Sequence, residues 1–368
     1  MSGKGRCVDK HIECTVEYIS CWFTNWEFDL VDLGFATRGA DGTVTIPDEQ
    51  LYYIINFNET CLSLDGSEGR RGGRPQMTLH DPWLPYDGKR TNKDSLIATL
   101  VCGSNAAGEA ITLHFQFQTK ATSDEGERLC NEVFRHVPRV KGTFGHDDVK
   151  DFDSTFGLNT KGGMDNEEFK QYIVNSILPL YPNTHNKPGH CLLLKYDSGL
   201  GRLQVKLLAQ LHFLGVYLYP CVPNTTAVTQ ETDQTCGMFK NQYRANFELL
   251  VDELVRQYKT VSMPQHKHGL LVFGGVHLNT GLELPSAFEL RFSRQRCLES
   301  WAKIGAAPHM LKCLDEPQVR KSMDLSKDYA SLVNSVQEAN EYAVYSLTEA
   351  GCNGSKLQAL VAVWSAVN

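Results

Sequence analysis

Gly189-His190-Cys191-Leu192-Leu193-Leu194-Lys195-Tyr196-Asp197 opens the stretch that decides the fold, which runs on to Arg244. Cys191 to Leu194 is an apolar run, short enough and closely enough bounded by turn residues to be a buried strand. Asp197 falls at or just past its C-terminal end, the edge where α/β sheets place their sites. Ser198-Gly199-Leu200-Gly201 makes a turn, and Leu203, Leu207, Leu208, Leu211 and Leu214 then recur at helical spacing. A second apolar strand, Val216 to Tyr219, stops at Pro220. A loop with Pro223 and Asn224-Thr225-Thr226 follows, and a long helix begins near Asp233.

At about 100° per residue, Asp233, Lys240 and Arg244 fall within roughly 20° of one line on that helix. Gly237 lies about 40° away and leaves the space beside Asp233 open. Phe239, Tyr243, Phe247, Leu250 and Leu254 form the adjacent core-facing stripe. A carboxylate, a glycine and two bases on one face suit a metal ion beside a phosphate backbone. The same residues also suit an ordinary solvated helix start whose acid complements the dipole.

Composition narrows the classes. A chain of 368 residues can bury a sizeable core. Its net charge of −7 excludes a strongly basic nucleic-acid binder. The 12 cysteines are scattered without a Cys-x-x-Cys pair, and read as reduced thiols rather than a disulfide framework or zinc site. No run approaches membrane-spanning length, and the start does not resemble a signal peptide, so a soluble intracellular protein is expected.

Outward from the central stretch, residues 1–50 carry the aromatic cluster Trp22, Phe23, Trp26 and Phe28, expected to be a short helical lead-in packed on the main domain. Leu51 to Phe57 reads as a strand that resumes at Cys61 to Leu64 and ends in the turn Asp65-Gly66. Arg70, Arg71 and Arg74 follow on a glycine-rich loop, where guanidinium groups make good phosphate contacts or a plain solvated basic loop. Ser95 to Val101 and Ala110 to Phe117 read as two more strands, completing an antiparallel set of three ahead of the parallel α/β part. Residues 119–165 read as a surface insertion or mobile loop. Asp165 is the expected N-cap of a helix running through Ile177. Leu270 to Phe273 reads as a strand, and Cys297–Trp301, Val333–Tyr345 and Lys356–Trp364 as helices.

The order of these pieces resembles the DDE superfamily endonucleases, the catalytic domains of pogo- and mariner-like transposases. In that family the first strand carries an aspartate in Asn-x-Asp-Glu-Thr; here it is Asn56-Phe57-Asn58-Glu59-Thr60. The second aspartate follows an apolar strand, matching Asp197. The third lies in Gln-Pro-Leu-Asp followed by Phe-Lys, matching Gln230-Glu231-Thr232-Asp233 with Phe239-Lys240 after it. The interval, 233 − 197 = 36, suits the family, and Phe292-Ser293 with Trp301 resembles its tail. The resemblance covers roughly 50–315. It implies an α/β fold, an RNase H-like mixed sheet with three antiparallel strands and then a parallel α/β part, flanked by helices. It also implies a division into a lead-in at 1–50 without a complete helix-turn-helix domain, a catalytic domain at 51–315 and a helical extension at 316–368.

What the family does is cut and join DNA with two divalent cations, Mg2+ or Mn2+, about 3.5–4 Å apart. The resemblance assigns Asp197 and Asp233 as metal ligands and puts Asn58 at the position of the first aspartate. An amide offers no charge there, so the metal pair and the endonuclease activity are expected to be impaired. The alternative is a catalytically inactive, domesticated or decayed DNA-binding or assembly protein. Glu59 points to the opposite strand face. Asp65 and Glu231 are the nearby carboxylates that could compensate. DNA is the implied partner, contacted by Arg70, Arg71, Arg74, Arg202, Lys240 and Arg244, with a nuclear location, no membrane, and room for a homodimer.

Two other classes fit the residues less well. Gly199-x-Gly201 opens a helix after a strand but lacks the third glycine of a dinucleotide site. His266 and His268 form a His-x-His pair with no further ligand, and His114 in an apolar strand reads as a satisfied core histidine.

Overall fold

The computed structural model describes residues 16–63, 97–118, 137, 139–159, 162–197, 204–221, 229–258, 273, 276–277 and 283–307. In chain order these give helix α1 (Val16–Asp32), a short hairpin of β1 (Thr37–Arg38) and β2 (Val44–Thr45), and a 3-10 turn over Asp48–Tyr53. Then come β3 (Ile54–Ser63), β4 (Ile97–Asn105), β5 (His114–Gln118), β6 (Val140–Gly142), β7 (Lys150–Phe152), β8 (Thr155–Asn159) and α2 (Asn166–Tyr172). The chain continues through β9 (Leu192–Tyr196), α3 (Val205–Phe213), β10 (Val216–Pro220) and the long α4 (Glu231–Tyr258). It closes with β11 (Val276–His277), β12 (Glu283–Leu284), α5 (Ala287–Arg291) and α6 (Arg294–Ile304).

One six-stranded sheet organises the described residues, in the order β10-β9-β3-β4-β5-β8. β3, β4 and β5 are antiparallel neighbours, and β9 and β10 run parallel to β3. This is the expected mixed α/β sheet, with three antiparallel strands followed by the parallel α/β part. β9 and β10 are buried at every position because helices cover both faces, which is why they read as apolar runs, with Lys195 the one charged residue in them. The α4 stripe Phe239, Tyr243, Phe247 and Leu250 is buried as its period predicts.

The ladder register decides what lies on each face. Asn56 pairs with Lys195 across to β9 and with Ser104 across to β4, and Asn58 pairs with Cys102. By strand alternation Asn56, Asn58, Lys195, Cys102 and Ser104 therefore share one face. The start of α4 sits on that face, through Thr232 on Asn56, and so does Trp301 of α6, whose indole N–H donates to Ser104 Oγ at 3.1 Å. Phe57 points the other way, onto Phe169 of α2 and Tyr172. Helix α1 is fastened by its own tryptophans: Trp22 donates to the Pro220 carbonyl at 2.9 Å and Trp26 to that of Ala306 at 3.2 Å. β3 and β4 approach so closely at Gly103 that a Cβ there would lie 2.1 Å from the Asn56 carbonyl oxygen.

Three expectations change. Residues 119–165 are not wholly an insertion: β6 and β7 form a hairpin, and β8 joins the main sheet parallel to β5. Its sequence, Thr-Phe-Gly-Leu-Asn, is an edge strand with an intermediate-to-exposed pattern, so no apolar run announces it. The first strand starts at Ile54 rather than Leu51, because Asp48–Tyr53 winds into a 3-10 turn after Pro47. β4 extends to Asn105, and β5 begins at His114 rather than Ala110. The Asp165 N-cap is as read, completed by Glu168 in a capping box, and the helix beyond Tyr172 loosens into a π turn over Ile173–Ile177. Of the strand read at 270–273 only Phe273 is described, and it is not extended; the helices at 333–345 and 356–364, the turn at 198–201 and the His266–His268 pair lie outside the described residues.

Candidate functional site

Asn56 builds the platform. Its side-chain amide donates to the Lys195 carbonyl at 3.0 Å, and its Oδ1 accepts from the Thr232 backbone N–H at 2.8 Å. Thr232 Oγ1 also bonds the Asn56 carbonyl, at 3.1 Å, and Gln230 Nε2 donates to the Phe57 carbonyl at 3.2 Å. β3, β9 and the first turn of α4 are thereby tied together just below the three positions of interest.

Those positions emerge two residues further on. Asn58 is two past Asn56 on β3, Asp197 is two past Lys195 on β9, and Asp233 follows Thr232. Asn58 is half-buried, Asp233 likewise, and Asp197 is exposed at the strand end. Asn58 Nδ2 donates to Asp233 Oδ1, while Asn58 Oδ1 accepts from the Glu59 backbone N–H at 2.7 Å. Both contacts fix the orientation of the amide. Turned over, its oxygen would meet a carboxylate and its NH2 would meet an N–H donor. Asp197 and Asp233 share a neighbour in the Cys221 thiol, which burial pushes up; Lys195 opposes this, and Glu231, Asp197 and Asp233 add to it.

Behind this rim lies a buried ion pair that the sequence reading did not flag. Lys195 Nζ sits 2.6 Å from Glu231 Oε1, with side-chain exposures of 0% and 1%. The ammonium also stands 4.8 Å from the Trp22 ring centroid, 5.7 Å from Trp301 and 5.9 Å from Trp26, so three aromatic faces surround it. Burial raises the Glu231 carboxyl above its ordinary value, and Lys195 pulls it back. The second oxygen, Glu231 Oε2, has no hydrogen-bond partner. Glu231 is thus committed to Lys195 and is not a replacement ligand at the rim. A signal was available: a lysine inside Leu-Leu-Leu-Lys-Tyr needs a buried counter-ion if the strand is covered on both faces.

On α4, Lys240 is half-buried and Arg244 exposed, and a Cβ at Gly237 would meet nothing within 4 Å. The open, basic line beyond Asp233 is therefore present. Asp65, Arg70, Arg71, Arg74 and Arg202 lie outside the described residues. His114 is buried between Thr155 and Gln116, as a core histidine should be.

A pair of Mg2+ or Mn2+ ions needs several anionic oxygens. Among the described residues no three His, Cys, Asp or Glu side chains gather to hold a metal ion. Asn58 presents an N–H donor here, directed into the Asp233 carboxylate. Among the described residues, those at the rim do not fit a two-cation site.

No protein-family model and no curated protein matches the chain. Among solved structures it is similar to the Mos1 strand transfer complex, with 10% identity and a TM-score of 0.35 over 82% of this chain and 66% of that one. It is also similar to a pre-cleavage Mos1 transpososome, with 9% identity and a TM-score of 0.35 over 82% and 66%. A Mos1 mariner paired-end complex with Mn gives 9% identity and a TM-score of 0.33 over the same shares. The chain thus spans slightly under two-thirds of the length of the chains it matches.

Proposed function

We propose that the chain is a transposase-derived, DDE endonuclease-like protein that binds DNA and whose phosphodiester cleavage is severely reduced or absent. The observation that carries this is the hydrogen bond from the Asn58 amide to Asp233. A first-strand aspartate would add a charge and a ligand; the amide instead adds no charge and gives Asp233 a hydrogen-bond donor where a cation would stand. In this reading 51–315 is the catalytic-type domain, 1–50 its lead-in and 316–368 a helical extension, acting in the nucleus with room for a homodimer. Asp197 and Asp233 keep their family places. Lys240 and Arg244, with Arg70, Arg71, Arg74 and Arg202, supply salt-sensitive contacts to phosphates.

The test is a nicking assay on supercoiled DNA in Mg2+ or Mn2+, run beside duplex binding with and without chelator. The proposal expects no cleavage above background and binding unchanged by chelator. Turnover that Asp197→Ala abolishes would contradict the loss of cleavage, and absence of any salt-sensitive duplex binding would contradict the DNA reading.

A further inference from the structure

Cys102 on β4 and Cys236 on α4 bring their sulfurs to 3.0 Å, where one thiol donates to the other, and both side chains are buried. Bonded sulfurs stand about 2.05 Å apart, so closure asks for a movement of about 1 Å. Both are free thiols. Their position gives the pair its interest: Cys102 lies opposite Asn58 in the ladder, and Cys236 comes one helical turn after Asp233. The two sulfurs therefore bridge the same strand pair and helix start that the Asn58–Asp233 contact joins.

We propose that Cys102 and Cys236 are a redox-convertible pair, joined by exchange with a low-molecular-weight disulfide into a bond that locks the start of α4 onto β4. One cysteine thiolate attacks a sulfur of the small disulfide and expels its other half as a thiolate. The second cysteine thiolate then attacks the protein sulfur of that mixed disulfide, forms the Cys102–Cys236 bond and expels the remaining half. The protein loses two electrons, the small disulfide gains them, and the two thiol protons end on the two small thiols.

Burial and the neighbouring Cys236 raise the Cys102 thiol well above its ordinary value, with Lys240 acting weakly the other way. The closed protein accordingly holds little thiolate, and exchange runs through openings of the first turns of α4. Once formed, the bond closes a segment of 236 − 102 = 134 residues, which restricts the unfolded chain and holds Asp233 against Asn58. The proposal does not depend on DNA binding.

The full chain is incubated with oxidised glutathione, blocked with an alkylating agent in denaturant, and mapped by peptide mass spectrometry. The expected result is a Cys102–Cys236 linked peptide and a thermal midpoint raised by a few degrees, reversed by dithiothreitol and lost in Cys102→Ser and Cys236→Ser. Because a buried serine hydroxyl could itself unfold the chain, Cys102→Ala and Cys236→Ala are run beside them. Recovery of both cysteines alkylated, each carrying glutathione, or joined to other partners would overturn the proposal. So would a midpoint shift that survives in the alanine variants.

Discussion

Lys195–Glu231 and Asn58–Asp233 join the sheet to the same first turn of α4, and they treat charge differently. The inner pair sets a full cation against a full anion in a dry pocket, with three indole faces closing around the ammonium. The outer pair sets a neutral amide against a carboxylate at a half-open rim. Their carboxylates, Glu231 and Asp233, stand two residues apart on α4. The interior demands complete compensation because an unpaired charge there is too costly. The rim tolerates a carboxylate met, among the described residues, by a neutral donor because the site is half-open to solvent.

The sharpest way to break the comparison is to remove one inner charge. Lys195→Ala leaves Glu231 buried without its partner and is expected to cost about 3–5 kcal/mol in urea unfolding. The double change Lys195→Met with Glu231→Leu is expected to recover most of that. A single change costing no more than a surface substitution would show that the pair is hydrated.

His114 offers a buried group that handles charge by staying neutral. Burial pushes it down to about 4 from an ordinary 6.5, against a weak opposing hydrogen bond from Gln116. Below pH 6.5 the unfolded chain takes up a proton that the native state refuses until pH 4. Its stabilisation is therefore complete above 6.5 and is lost as pH falls towards 4, by about 3 kcal/mol across that window. Comparing acid unfolding of wild type with His114→Asn reads this directly; equal slopes between pH 6.5 and 4 would contradict it.

The smallest expected effect lies on the outer surface of α4. Lys240→Gln is expected to weaken duplex binding uniformly across sequences and to lower the salt slope by about 1. An unchanged slope would place the DNA elsewhere.

Much of this architecture is legible in the sequence because it is local. The period of Phe239, Tyr243 and Phe247, the buried run ending at Asp197 and the capping box at Asp165 each declare themselves within a few residues. The joining contacts do not. Asn58 and Asp233 are 175 positions apart, and it is the Asn56–Thr232 contact that brings β3 and the start of α4 together. β8 was missed because a half-exposed edge strand with Gly157 in its middle lacks an apolar run. Lys195 stands just past the apolar run Cys191 to Leu194, and its setting beside three leucines implies a buried acid without saying which one. The Cys102–Cys236 approach has no sequence signal at all, since neither residue belongs to a spaced motif.

Whether the amide at position 58 leaves the rim without a metal pair is read by calorimetric titration of Mg2+ and Mn2+ into wild type and Asn58→Asp. The account predicts no two-ion binding to wild type, and binding of two ions followed by DNA nicking in Asn58→Asp. Two-ion binding and nicking by wild type would contradict it, and would mean that another carboxylate has taken the place of the first aspartate.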